Sequence, residues 1–164
     1  MKIEITANGK TIQTEINEEQ AKILGLTIDK PKTGYERVEK GSTYFFNDGL
    51  SDMNRTKEEK DMEDQDYYNG GNYYNNKTIA KNNARADRLL CCLRQWQALN
   101  DRAINWKNKD IRKYTIRYDY AMNMFNVIPN FCERCLNDVY FTTRETAQRA
   151  INVFKVELEW YFTQ

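Results

Sequence analysis

Two sets of side chains in this chain have the types and spacing to do chemistry. The first is the acidic group Asp61, Glu63, Asp64 and Asp66, four carboxylates within six residues, which could hold a magnesium ion and hydrolyse a phosphodiester. The second is Cys132-Glu133-Arg134-Cys135, the spacing of half a structural zinc site. Neither set is complete in the sequence. Acidic runs are ordinarily solvated surface. The remaining thiols, Cys91 and Cys92, are neighbours on a predicted helix and point about 100° apart, so both reach one metal only if the helix breaks. Unpaired, buried cysteines are the simpler expectation.

The chain contains no histidine. This removes the commonest general acid and base, the usual nucleophilic triad and His-ligated zinc together. Glycine-rich phosphate loops and the nucleophile-elbow pattern are absent too, so no cofactor is implied and a binding module is the leading class.

Binding chemistry is better represented. From Asp66 to Asn76 the chain is rich in tyrosine, asparagine and glycine, a mixture that offers rigid faces, donors and acceptors, and close backbone approach. Tyr67, Tyr68, Asn72, Tyr73 and Tyr74 are the candidate partner-binding residues of a predicted loop. Next comes a predicted helix, Lys77 to Asn100, with Ile79, Ala86, Leu89, Leu90, Leu93, Trp96 and Leu99 at helical steps and Asn76 as N-cap. Its basic flank, Lys81, Arg85 and Arg88 with Arg94 close by, is the candidate nucleic-acid-binding site.

Charge is segregated behind a formal net of +1: residues 1 to 64 hold ten basic and fourteen acidic side chains, and residues 77 to 120 eleven basic and four acidic. A region of net +7 attracts polyanions. No apolar run is long enough for a membrane span, and the N-terminus lacks a secretory pattern, so a cytosolic address is expected.

At 164 residues one main core is expected. Ile3, Ile5, Ile12 and Ile16 alternate with polar residues around Asn8-Gly9, predicting a hairpin, and Glu18 to Leu26 predicts a short helix with Ala21, Ile23 and Leu24 inward. Residues 1–32 form the expected hairpin-helix arm and 33–164 the main domain, with a polar stretch from Thr27 to Thr33 around Pro31 between them. Further strands are expected at Ser42 to Phe46, Leu50 to Asn54, Arg112 to Tyr118 and Ala121 to Ile128, with Val139 to Phe141 as a brief one. Residues 55 to 66 read as a solvated loop or short surface helix, and Thr142 with Glu145 as the capping box of a closing helix. The class is α+β: an N-terminal β-hairpin and short helix, then a small antiparallel sheet packed against two long amphipathic helices.

The run Thr33-Gly34-Tyr35-Glu36-Arg37-Val38, then Ser42-Thr43-Tyr44-Phe45-Phe46, the Tyr67 to Asn76 stretch, Ala80-Lys81-Asn82-Asn83-Ala84-Arg85-Ala86-Asp87, Tyr140-Phe141 and Tyr161-Phe162 resembles small accessory proteins of Gram-positive phages and mobile elements, a family that includes type II anti-CRISPR inhibitors. The resemblance spans residues 33 to 162, and the Ile-rich hairpin is also similar. It implies a stoichiometric inhibitor in the bacterial host cytosol. Its partner would be a type II CRISPR effector nuclease, its guide RNA, or both, with no membrane and no small-molecule substrate. Contacts are then expected from the hairpin, including Lys10, and from the tyrosine loop. Two alternatives stay open: a nucleic-acid-associated mobile-element protein without inhibitory activity, and a metal-dependent nuclease that trims guide RNA.

Overall fold

The computed structural model describes residues 2–7, 9–25, 32–49 and 53–164. Asn8, Leu26, most of the Thr27 to Thr33 stretch and the first part of the predicted Leu50 to Asn54 strand lie outside the described residues. The chain is α+β and divides into two compact units, Met1–Glu36 and Arg37–Gln164. No helix among the described residues is long and apolar enough to cross a membrane.

In the first unit, β1 (Lys2–Ala7) and β2 (Lys10–Glu15) pair antiparallel in the register Lys2↔Glu15, Ile3↔Thr14, Ile5↔Ile12 and Ala7↔Lys10. Gly9 at φ 77° supplies the left-handed turn residue that a tight hairpin requires. Side chains alternate along a strand, so the pairing sorts them into two faces. One is polar and cross-linked, with Lys2–Glu15 at 3.8 Å, Gln13 Nε2 donating to Glu4 at 2.5 Å and the Thr6 and Thr11 hydroxyls 3.0 Å apart. The other carries Ile3, Ile5 and Ile12, and Ile5 and Ile12 are 47% and 65% exposed. Helix α1 (Glu18–Ile23) begins at a reciprocal capping box between Asn17 and Gln20. Ala21 is buried, but Ile23 and Leu24, expected inward, are exposed, because the helix ends at Ile23 before completing a second apolar turn.

The second unit starts with a ribbon, β3 (Thr43–Phe46) against β4 (Asn54–Lys57), followed by α2 (Met62–Asn69) and the 24-residue α3 (Lys77–Asn100). A three-stranded antiparallel sheet follows, with β5 (Lys113–Asp119) between β6 (Met124–Asn130) and β7 (Tyr140–Phe141), and the chain closes on α4 (Arg144–Thr163). Of residues 55–66, expected as a solvated loop or short surface helix, 55–57 belong to β4 and 62–66 to α2, and Tyr67 and Tyr68, expected in a loop, continue that helix. Asp61 explains it: its carboxylate accepts from the Asp64 N–H at 3.0 Å and caps the first turn.

The sheet's core face follows from its register. Tyr114↔Phe141, Ile116↔Val127 and Tyr118↔Phe125 put six large side chains on one side, against Leu89 and Leu93 of α3 and Ala147, Ala150, Ile151 and Leu158 of α4. Helices α3 and α4 run antiparallel, since Arg85 meets Glu157 and Trp160 near one end while Trp96 meets Phe154 and Arg149 near the other. Asp101 joins their other ends, its carboxylate accepting the Thr142 N–H at 2.7 Å and the Thr142 hydroxyl. Thr142 is therefore not the N-cap; Thr143 is, accepting from the Thr146 N–H at 3.1 Å. On the opposite face of the sheet Lys113 is buried, donating to the carbonyls of Asn108 (2.7 Å) and Phe131 (2.8 Å), and the Trp106 ring stands edge-on to Tyr140.

Phe141 is fully buried in this core, whereas Leu99, placed on the apolar stripe of α3 by its spacing, is 79% exposed. Phe141→Ala is expected to lower the free energy of unfolding by roughly 3–5 kcal/mol and Leu99→Ala by at most about 0.5 kcal/mol, measured by urea denaturation.

Candidate binding surface

The tyrosine stretch is positioned by the ribbon. Tyr74 forms a two-hydrogen-bond bridge with Phe45, N–H to carbonyl in both directions at 2.8 and 2.9 Å, so residue 74 acts as a third strand beside β3. Tyr73 stacks on Tyr44 with ring centroids 4.0 Å apart, and Tyr67 on Phe46 at 4.4 Å. Asn72 is occupied as well: it accepts from the Asn47 N–H at 2.8 Å and donates to the Asn47 carbonyl at 2.7 Å. The expectation of an exposed four-tyrosine loop is thereby corrected. Tyr73 and Tyr74 are buried, Tyr67 is half-buried, and Tyr68, at 40% exposure, is the one of the four most open to solvent, with the Arg37 guanidinium 5.6 Å from its ring centre.

Beneath the rings lie two buried carboxylates. Glu58, fully buried, receives Arg37 through both oxygens (2.8 and 3.2 Å) and the Tyr73 hydroxyl at 2.7 Å. Asp64 receives the Tyr44 hydroxyl at 2.7 Å and the Glu59 N–H at 2.6 Å. The Arg37 hydrogen bond holds the Glu58 carboxyl below the usual carboxylate range, with Tyr73 assisting and burial opposing. Burial alone would raise Asp64, but the Tyr44 hydroxyl and the backbone N–H groups of Glu59 and Asp61 outweigh it and hold it low. The tyrosines shift the other way: burial, then the hydrogen bond to Glu58, pushes Tyr73 up to about 12, and burial, then Asp64, raises Tyr44 further, so both remain protonated donors.

This arrangement settles the roles of the acidic group. Asp61 caps a helix and Asp64 anchors a tyrosine, while Glu63 and Asp66 are exposed. No cluster of three or more His, Cys, Asp or Glu side chains among the described residues could hold a metal ion. The cysteines, expected buried, are free thiols with Cys91, Cys132 and Cys135 exposed and Cys92 half-buried.

The cationic flank is partly retained. Lys77, Lys81 and Arg88 are exposed and fall within roughly 40° of one another around the helix axis. Arg85 departs from the group. Its guanidinium grips Glu157 of α4 through two hydrogen bonds of 2.7 and 3.0 Å and lies 4.0 Å from the Trp160 ring centre. The Arg85 hydrogen bond holds the Glu157 carboxyl low, and Arg88 adds to the effect. Arg94 is exposed but, six residues beyond Arg88, points about 120° away. Lys113 and Arg117 leave the basic region too, the first buried on carbonyls and the second held by Asp138 at 2.8 and 2.5 Å. Lys10 is exposed on the hairpin, paired in register with Ala7.

The Arg37–Glu58–Tyr73 and Tyr44–Asp64 network joins residues 15 to 21 positions apart, and local spacing carries no signal for it. No known protein family, curated protein or solved structure matches this chain.

Glu58→Gln keeps the shape but leaves Arg37 without its anion, and a loss of about 3 kcal/mol or more is expected by chemical denaturation. Tyr73→Phe, which removes one of the four hydrogen bonds that Glu58 accepts, two from Arg37 and one each from Tyr73 and the Lys60 N–H, is expected to cost about 1 kcal/mol. Since both carboxyls are lower in the folded than in the unfolded chain, where they titrate near 4, their stabilisation is complete above about pH 5 and is lost as pH falls through the folded values. Unfolding midpoints measured from pH 7 to pH 2 should therefore stay level and then fall, and the fall should be shallower in Glu58→Gln.

Proposed function

We propose that the protein is a non-catalytic binding module of a phage or mobile element, acting in the bacterial host cytosol as an inhibitor of a type II CRISPR effector nuclease through the effector's guide RNA complex. The observation that carries the reading is the exposed row Lys77, Lys81 and Arg88 on one flank of α3, a straight array of cations at helical repeat. Such a row tracks a phosphate backbone and makes binding salt-dependent. The exposed Ile5 and Ile12 face of the hairpin offers a second, apolar contact suited to protein. The inhibitory activity itself rests on the likeness of residues 33 to 162 to phage accessory proteins that include such inhibitors. Tyr68 and Lys10 remain surface candidates for the partner contact.

A nucleic-acid-associated accessory protein without inhibitory activity uses the same cations and is the second reading. In a cleavage assay at equimolar ratio, with the guide RNA followed on a denaturing gel, the inhibitor leaves target DNA uncut and the RNA intact. Cut DNA with RNA bound favours the second reading, and RNA shortened in magnesium but not with chelator identifies a nuclease. For RNA binding, replacing Lys77, Lys81 and Arg88 together by Gln should lower the slope of log affinity against log salt by about 3. An unchanged slope removes the row from the interface.

A further inference from the structure

Cys132 and Cys135 are both exposed, and both line one cleft of about 380 Å³ together with Thr115, Arg117, Pro129 and Phe131. The backbone of the segment is held by neighbouring side chains. The Asn130 side chain accepts the Glu133 N–H at 3.0 Å, and the Cys135 N–H donates to the Tyr140 hydroxyl at 2.9 Å, which in turn donates to Asp138 at 3.1 Å. Asp138 is clamped by Arg117, so the turn carrying the second thiol is tied to the central strand of the sheet. The two thiols are three positions apart, line one cleft and are joined by a segment with no helix or strand, so the chain between them is free to take the Cα separation of about 4.4–6.8 Å that a disulfide needs. With no third ligand gathered among the described residues, sulfur-to-sulfur chemistry fits the pair better than a closed zinc site.

We propose that Cys132 and Cys135 form an exchange-competent dithiol that closes to an intramolecular disulfide on reaction with a low-molecular-weight disulfide such as oxidised glutathione. One thiolate attacks a sulfur of the oxidant, breaking its S–S bond and releasing one glutathione as thiol. The second thiolate then attacks the protein-bound sulfur of the mixed disulfide, forming the Cys132–Cys135 bond and releasing the second glutathione. The pair gives up two electrons and two protons, and the oxidant leaves as two thiols. Open access marks the pair as labile and reversible, unlike a buried structural bridge.

The test uses the full chain and a Cys91→Ser/Cys92→Ser variant, equilibrated in glutathione buffers of increasing oxidising ratio, quenched with an alkylating agent and read by intact and peptide mass. The wild-type chain read by peptide mass keeps the experiment independent of how the variant folds. The expected result is simultaneous loss of the two alkylatable thiols at 132 and 135, a mass lower by two hydrogens, a monomeric band on a non-reducing gel and full reversal by dithiothreitol. Cys132→Ser should instead carry a single glutathione on Cys135. Separate glutathione adducts on both wild-type residues, disulfide-linked dimers, or two thiols still alkylatable at the most oxidising ratio would each overturn the proposal.

Discussion

A buried carboxylate cannot stand alone in a protein interior, and the second unit of this chain is organised around that constraint. Glu58 lies at the end of the β3–β4 ribbon and requires compensation, which Arg37 supplies from the chain before the ribbon and Tyr73 from the chain after α2. Asp64 on α2 takes Tyr44 from the ribbon in the same way. Four segments are thus held by five charged or phenolic groups in two hydrogen-bonded sets, which meet where the Tyr44 and Tyr73 rings stack. The geometry has a downstream effect: with Tyr73 and Tyr74 locked, Asn76 is placed to receive the Thr78 and Ile79 N–H groups and begin α3.

Helix α3 then serves two neighbours on different sides. Its early turns bury Ala80 and Ala84, and its later turns bury Leu89 and Leu93 in the sheet core. Nine residues separate Ala80 from Leu89, which rotates the buried face by about half a turn. Lys77, Lys81 and Arg88 occupy an exposed strip between the two buried faces. The grip of Arg85 on Glu157 and Trp160 marks where that strip gives way to the contact with α4.

Much of this architecture was legible in the residue pattern. Period-two alternation located the hairpin and the central strands, and helical spacing located α3 and α4, because these signals are local and repeated. The candidate site was legible only in part. Residue type named the tyrosines and cations, but exposure depends on partners far along the chain: Phe45 for Tyr74, Glu58 for Tyr73, Glu157 for Arg85. The acids between 58 and 66 misled for the same reason, since a solvated acidic loop and a buried, tyrosine-bonded pair of carboxylates have identical composition. Thr142 had the spacing of a cap, and Asp101 took it away through a contact across 41 residues.

The hairpin's polar side has a further implication. Its ion pair, amide bond and paired hydroxyls match each rung of the ladder to its opposite, and a slip by one position would break all three while turning the isoleucines over to the other side. The side on which Ile5 and Ile12 emerge is consequently decided within the hairpin itself. Whatever meets it finds a ready-made greasy plane of known handedness, and little chain entropy is left to surrender at the moment of encounter.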